Sequence, residues 1–163
     1  MPKKLWEPSK ADIKNSNLFA YEKFISKYYK YNFSRNYKKL LKWSVKNPKD
    51  FWNSIWEYFE VVGKKTDKFK LTKDLINSKF FVNSKLNFAE NLLAKNSNQK
   101  AITFVSENGY REQKSWKELN IDVKKIITFY KKINISEKDR IAAYTPNQIE
   151  TVECFLSASA IGS

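Results

Sequence analysis

The sequence predicts an α+β chain leading into α/β: a helical N-terminal region, then a hairpin–helix–strand–helix unit. Three observations predict it. Apolar and aromatic residues recur at three- and four-residue spacing through the first half. The β-rich run Ala101-Ile102-Thr103-Phe104-Val105 precedes Asn108-Gly109, a hairpin turn signal. Ser115-Trp116-Lys117-Glu118 then matches a capping box at the head of a long amphipathic pattern. The break Asn96-Ser97-Asn98 sets the main boundary, dividing a helical region over residues 1–97 from a second, incomplete domain over residues 98–163.

Residues 1–15 read as an irregular arm, with Trp6 and Pro8 as its candidate anchors. Ser16 caps a helix expected to run to about Tyr31, with Leu18, Tyr21, Ile25 and Tyr28 on one face. A second helix is expected from Tyr37 to Val45. Asn47 then suits an N-cap, Pro48 the first helical position and Asp50 the first turn. Phe51, Ile55 and Phe59, flanked by Trp52 and Trp56, trace a strongly amphipathic helix to about Val62, ended by Gly63. A face that large must bury, either within this segment or against a further domain.

Residues 64–79 read as a polar loop with a weak strand or turn near Phe69-Lys70-Leu71. An aromatic pair, Phe80-Phe81, and a turn at Asn83-Ser84 follow. A short helix then carries Asn87, Glu90 and Asn91 among Leu86, Phe88, Leu92 and Leu93. This is either a surface helix with a polar edge or a set of amides that cap chain ends and hold loops. Beyond the break, Tyr110 to Lys114 returns as the hairpin partner. Trp116, Leu119, Val123, Ile126, Ile127 and Tyr130 trace a helix face as far as about Lys132. A turn over residues 134–139, a strand over residues 140–144 stopped by Pro146, and a helix carrying Ile149, Val152, Leu156 and Ser159 complete the pattern, with Gly162 as its end. A parallel strand is expected next. A buried sheet left with one βα unit is poorly satisfied, so Ser163 reads as a truncation.

The chain has 163 residues, 42% of them hydrophobic and 16% aromatic, enough for a real core and against disorder. One Cys and no His exclude a disulfide framework and a Cys/His metal cluster. No apolar run reaches the ~18 residues of a membrane span. The first residues lack a signal peptide's apolar core, so the chain reads as cytoplasmic and soluble. The formal net charge of +14 raises nucleic acid as a partner. Arg, the residue of bidentate phosphate contacts, occurs only at Arg35, Arg111 and Arg140, which argues against it. Lys, Asn, Ile, Phe and Tyr share AT-rich codons, and a compositionally biased, solvated surface accounts for the excess.

Three blocks carry a family resemblance. Phe80 to Leu93, "FFVNSKLNFAENLL", resembles the "WFPGAxLNYAENLL" block of the acetoacetate–CoA ligases (acetoacetyl-CoA synthetases), members of the adenylate-forming superfamily. Trp43-Ser44-Val45 with Phe51-Trp52-Asn53-Ser54-Ile55-Trp56 resembles their "WSV…FWxxxW". Asp139-Arg140-Ile141-Ala142-Ala143-Tyr144-Thr145-Pro146-Asn147 resembles "GDRVAxYxPN", and Ile161-Gly162-Ser163 the "IGA" that follows. Leu5-Trp6-Glu7-Pro8 also fits the family's start. Three departures stand out: Lys138 and Asn134 occupy glycine positions, and Val82 replaces the rigid Pro.

The resemblance implies an acetyl-CoA synthetase N-terminal-like region with its core at about residues 37–95, followed by the start of an AMP-dependent ligase domain. It implies the formation of acetoacetyl-CoA from acetoacetate, ATP and CoA with Mg²⁺, through an acyl-adenylate. Such chemistry needs a glycine-rich phosphate loop. Gly63, Gly109 and Gly162 are isolated and cannot build one. No catalytic, cofactor-binding or metal residue is therefore assigned. ATP, CoA, Mg²⁺ and acetoacetate belong to a longer enzyme, with the missing C-terminal part of the chain as the partner of this one, which is expected to be inactive alone. Cys154 has no His to activate it and reads as a core or semi-exposed thiol. Asp139-Arg140 reads as a turn-stabilising ion pair, and Arg35, Lys38 and Lys39 as exposed surface. Asn87, Glu90 and Asn91 read as ties between the N-terminal region and the domain beyond. The alternatives are another short-chain acyl-CoA synthetase, or a small basic binding module that uses its aromatic helices without catalysis.

Overall fold

Side-chain caps set where most of the helices begin. A computed structural model of the chain describes residues 5–163. It is helical with one small two-stranded sheet and divides into two compact units. The first comprises residues up to Val61 together with Thr66–Asn83; the second comprises Val62–Lys65 and Ser84–Ser163. The packing division thus falls upstream of Asn96-Ser97-Asn98. Among the described residues, no helix is long and apolar enough to cross a membrane.

The first unit holds α1 (Lys10–Asn15), α2 (Asn17–Tyr28), α3 (Tyr37–Lys46) and α4 (Pro48–Tyr58). Of the arm expected over residues 1–15, residues 1–4 lie outside the described residues. Lys10–Asn15 is helical instead, because Ser9 and Asp12 close a capping box. Trp6, a candidate anchor, is 74% exposed. Ser16 accepts from Phe19 N at 3.2 Å and starts α2 as expected. The helix stops at Tyr28, short of Tyr31, where Lys30 turns left-handed with φ 59°. Of its predicted face, Tyr21 and Ile25 are buried, whereas Leu18 and Tyr28 are exposed.

Tyr21, Ile25, Phe33, Leu40 and Trp43 form the core, with Phe24, Tyr29, Phe51, Ile55 and Tyr58 packed on it. Tyr21 Oη and Ser54 Oγ lie 2.7 Å apart within it, so both buried hydroxyls are paired. Asn47 makes no N-cap bond; its amide donates back to Trp43 O at 3.1 Å and closes α3. The remaining aromatic edge of α4 is covered from within the unit. Trp52 meets Phe80 and Trp56 meets Phe81, with ring centres 5.6 and 4.9 Å apart. The helix ends at Tyr58 rather than Val62, because Glu60 adopts φ 50°. The weak strand near Phe69 is one isolated bridge, Lys70 to Lys79.

The second unit holds α5 (Phe88–Leu92), β1 (Lys100–Val105), β2 (Arg111–Ser115), α6 (Trp116–Lys132) and α7 (Ile149–Ile161). β1 and β2 pair antiparallel through a turn in which Gly109 takes φ 83°. Ser115 and Glu118 form the expected capping box. Ala89, Leu119, Val123 and Leu156 form the core. Gly63 ends no helix. Its role is close approach: a Cβ there would sit 2.7 Å from Lys85 O, where Lys64 and Lys85 bridge. The strand expected over residues 140–144 is absent. The segment makes no backbone hydrogen bond among the described residues, and a strand exists only as one member of a pair.

Leu18 and Ile25 lie on the same predicted stripe, yet only Ile25 is fully buried. Ile25→Ala is expected to cost about 2–5 kcal/mol through the cavity it leaves. Leu18→Ala is expected to stay within about 0.5 kcal/mol. Urea unfolding followed by near-UV circular dichroism measures both, and equal effects would contradict this core.

Candidate functional site

In the second unit, one short amide joins two helix ends. Asn87 is the N-cap of α5, its Oδ1 accepting from Glu90 N at 3.0 Å. Its Nδ2 donates to Ser159 O at 2.9 Å and Ala160 O at 3.2 Å, two of the last carbonyls of α7. Both ends would otherwise leave orphan backbone groups. Asn91 works similarly one turn on. Its Oδ1 accepts from Val62 N at 2.8 Å and its Nδ2 donates to Val62 O at 2.9 Å, as a neighbouring strand would. Glu90, by contrast, is exposed. The amides therefore tie chain segments together, and the carboxylate of the trio stays in solvent.

A half-buried ionic cluster joins β2, α6 and α7, and no sequence motif marked it. Lys114 projects from β2 and donates to Glu153 of α7 at 2.6 Å and Asp122 of α6 at 2.8 Å. Lys125 donates to the other Asp122 oxygen at 2.8 Å. The Glu153 side chain is 5% exposed, and a carboxylate so placed requires a partner. The buried Ser157 hydroxyl donates to the backbone Glu153 O at 2.7 Å, with Val123 O at 3.2 Å as the longer arm. Burial alone would lower the Lys114 pKa, but the bonds to Asp122 and Glu153 outweigh it and hold the ammonium above its ordinary value. Hydrogen bonds from Lys114 and then Lys125 hold the Asp122 carboxyl below the ordinary range. The signal that could have found the cluster is a lone Glu on the apolar face of α7, facing the inward register of β2.

The other weighed residues do not converge. Asp139 makes no ion pair with Arg140; it accepts from Ser136 N at 2.7 Å and Ser136 Oγ at 2.9 Å, and this closes the turn. Cys154 is half-buried beside Tyr130, whose hydroxyl burial and then the thiol push above its usual pKa. Arg35 lies over the Phe19 ring at 5.0 Å and near Glu22, whose pKa burial raises and Arg35 partly lowers. Lys38 and Lys39 are exposed. Several cavities border α7. One of about 420 Å³ lies by Asn87, Asn120 and Lys124, and one of about 720 Å³ lies by Tyr130, Ile141, Cys154 and Phe155. Among the described residues, no group of three or more His, Cys, Asp or Glu could hold a metal ion.

The glycines decide the fit to a nucleotide. Gly63 serves a close backbone approach, Gly109 a hairpin turn and Gly162 the left-handed cap of α7. The three are isolated from one another, so a glycine-rich phosphate loop cannot be built from them.

Residues 37–92 match the family described as acetyl-coenzyme A synthetase N-terminus. The acetoacetyl-coenzyme A synthetase of Rhizobium meliloti (strain 1021) is 29% identical over 160 residues, 98% of this chain and 24% of that protein. The acetoacetyl-CoA synthetase of Xenopus tropicalis is 36% identical over 135 residues, 78% of this chain and 20% of that protein. Over nearly all its length this chain is similar to part of acetoacetyl-CoA synthetases, and its residues 37–92 match the N-terminal family of the acetyl-coenzyme A synthetases. The acetoacetyl-CoA synthetase from Streptomyces lividans shares its fold, with a TM-score of 0.86 at 22% identity over 99% of this chain and 26% of that one. The chain thus spans 24% and 20% of the length of those two curated acetoacetyl-CoA synthetases.

Asn87→Asp keeps the α5 cap but turns a carboxylate on the Ser159 and Ala160 carbonyls. It is expected to cost about 1–3 kcal/mol, whereas Glu90→Gln is expected to be near neutral, both by urea unfolding. Lys114→Met strands the buried Glu153 and is expected to cost about 3–5 kcal/mol, with Lys114→Met/Glu153→Gln recovering much of the loss.

The pH dependence has two edges. The folded pKa of Asp122 is depressed, so its contribution is present above the unfolded value of about 3.9 and lost as pH falls through the folded one. The folded pKa of Lys114 is raised, so its contribution is complete below about 10.4 and lost as pH rises through the folded value. Asp122→Asn is expected to flatten the acid edge of the urea midpoint and to weaken the alkaline edge, which then rests on Glu153.

Proposed function

We propose that this chain is the N-terminal part of a ligase that converts acetoacetate, ATP and CoA into acetoacetyl-CoA, AMP and diphosphate through an acyl-adenylate. The observation that carries this reading is sequence similarity over nearly the whole chain to proteins named for that activity. In this reading, residues 1–97 form the helical N-terminal region, with its core at about residues 37–95. Residues 98–163 begin the AMP-dependent ligase domain. The enzyme acts in the cytoplasm and takes ATP, CoA and Mg²⁺ on residues outside this chain.

The part left to these 163 residues is architectural. The Asn87 amide and the Lys114 cluster fix α5, α6 and α7 against β2. No step of acyl transfer is assigned to a side chain here. Exposed lysines supply a positive field that attracts polyanionic nucleotides at long range.

The test is acetoacetate-dependent ATP–pyrophosphate exchange. A protein joining this chain to the downstream part of the Rhizobium meliloti relative is expected to exchange label with acetoacetate and not with acetate. The 163-residue chain alone is expected to give no exchange. Exchange with acetate in place of acetoacetate would sink the acid assignment, and a salt-sensitive shift of duplex DNA by the chain alone would favour a binding module.

A further inference from the structure

One face of α2 and the loop that follows it border a polar pocket, wholly within the first unit. Phe19, Glu22, Lys23 and Ser26 fall at positions i, i+3, i+4 and i+7 and so share one face of the helix. The loop over residues 32–35 completes the wall, and the space between is about 180 Å³. Water takes up about 30 Å³ per molecule, so a small organic ligand has room there.

Two of the lining residues are buried, Phe33 and Glu22. Phe33 packs edge-on against Trp43 and ties the loop to the core. Glu22 is 8% exposed, and among the described residues its carboxylate accepts no hydrogen bond and joins no salt bridge. A carboxylate so buried is costly until a cation or several donors meet it. Burial pushes the Glu22 pKa up, and Arg35 opposes that only in part.

The rim carries the opposite sign. The Arg35 guanidinium lies 5.0 Å from the centre of the Phe19 ring, and Lys23 Nζ lies 4.6 Å from the same centre. Both cations are exposed and both line the pocket. Ser34 and Arg35 take left-handed φ of 51° and 59°, a costly conformation for residues with a Cβ, and the chain so bent sets Arg35 over Phe19. Asn32 Oδ1 accepts from Ser34 N at 2.9 Å, which leaves the Asn32 amide nitrogen as a donor on the loop side. Ser26 supplies a hydroxyl on the helix side. Arg35 therefore stands opposite a buried carboxylate without pairing with it, and the pocket fills the gap.

We propose that this pocket binds a small free amino acid as its zwitterion, with the ammonium on Glu22 and the carboxylate on Arg35. Lys23 and the Asn32 amide are further donors to that carboxylate. An anion alone would meet the buried charge of Glu22, and a cation alone would be repelled by Arg35 and Lys23. A ligand that carries both charges satisfies both ends, and the planar guanidinium suits a carboxylate. Among the described residues Glu22 is the one carboxylate lining the pocket, too few ligands for a divalent cation. The size of the pocket limits the side chain to that of glycine, alanine or serine. The ligase reading plays no part in this assignment.

Proton–nitrogen correlation NMR of the 163-residue chain tests it, with L-alanine as the probe and methylammonium and acetate as its two halves. L-alanine is expected to shift the amides of Phe33, Ser34 and Arg35 saturably, and to bind about tenfold more tightly than either half. Glu22→Gln and Arg35→Gln are each expected to weaken L-alanine binding by about tenfold, with the amides of α4 unmoved as the sign of an intact fold. Arg35 is exposed, so its variant tests the site even where Glu22→Gln disturbs the core. The absence of a saturable shift with L-alanine would overturn the proposal. Acetate binding as tightly as L-alanine would reduce the pocket to an anion site, and methylammonium doing so would reduce it to a cation site. Either result overturns the zwitterion, as does full L-alanine affinity in Arg35→Gln.

Discussion

The second unit depends on the termination of helix ends, and Asn87 does most of it. A helix leaves its last carbonyls and its first amides without partners. At the meeting of α5 and α7 both kinds of orphan face one another, and a side chain with one acceptor and one two-proton donor serves both. Asp would repel the carbonyls, and Ser or Thr would be too short to span the two ends. The five-residue α5 has too few internal bonds to persist alone, so its existence follows from this capping and from Ala89, which is fully buried in the core. The register of α7 then follows from α5.

Once α7 is placed, Glu153 becomes a problem that Lys114 solves. A carboxylate on the inner face of an apolar helix costs several kcal/mol unless it is neutralised. β2 brings Lys114 to it, and Asp122 gives that ammonium a second acceptor. The cluster consequently selects one pairing of strand, α6 and α7 among the many that apolar packing alone would tolerate. Its stabilising worth is modest beside the cost of breaking it, which is the usual asymmetry for buried charge. The first unit solves its own problem with aromatic rings. Trp43 touches Phe33, Phe51, Tyr29 and Tyr31, and the broad face of α4 is closed by Phe80 and Phe81.

What was legible in the sequence was local. Ser16, Pro48, Ser115, Gly109 and Gly162 act through partners within a few residues, and each marks its cap or turn correctly. Left-handed positions were legible only where the residue type announced them. Asn134, at a glycine position of the family pattern, takes φ 63°, and Asn83, in the expected turn, takes φ 69°, as Asn tolerates. Lys30, Glu60 and Phe81 take positive φ with no such warning, and two of these three ended a helix earlier than its periodicity suggested. The Lys114 cluster was illegible because its members are 8 and 39 residues apart and no spacing rule joins them. Asn87 was visible as an oddity, but its partner lies 72 residues away, which only the fold reveals.

The missing strand over residues 140–144 belongs to a different class of disagreement. Its residue types are right for a strand, and its neighbours α6 and α7 are in place. What it lacks is the second backbone, and β-structure is a relation between two segments rather than a property of one. The helices in this unit are fixed by contacts that do not involve the segment at all: Asn87 at one end of α7, Glu153 and Leu156 along it. The surface around residues 140–144 is therefore held by helix contacts and not by a sheet.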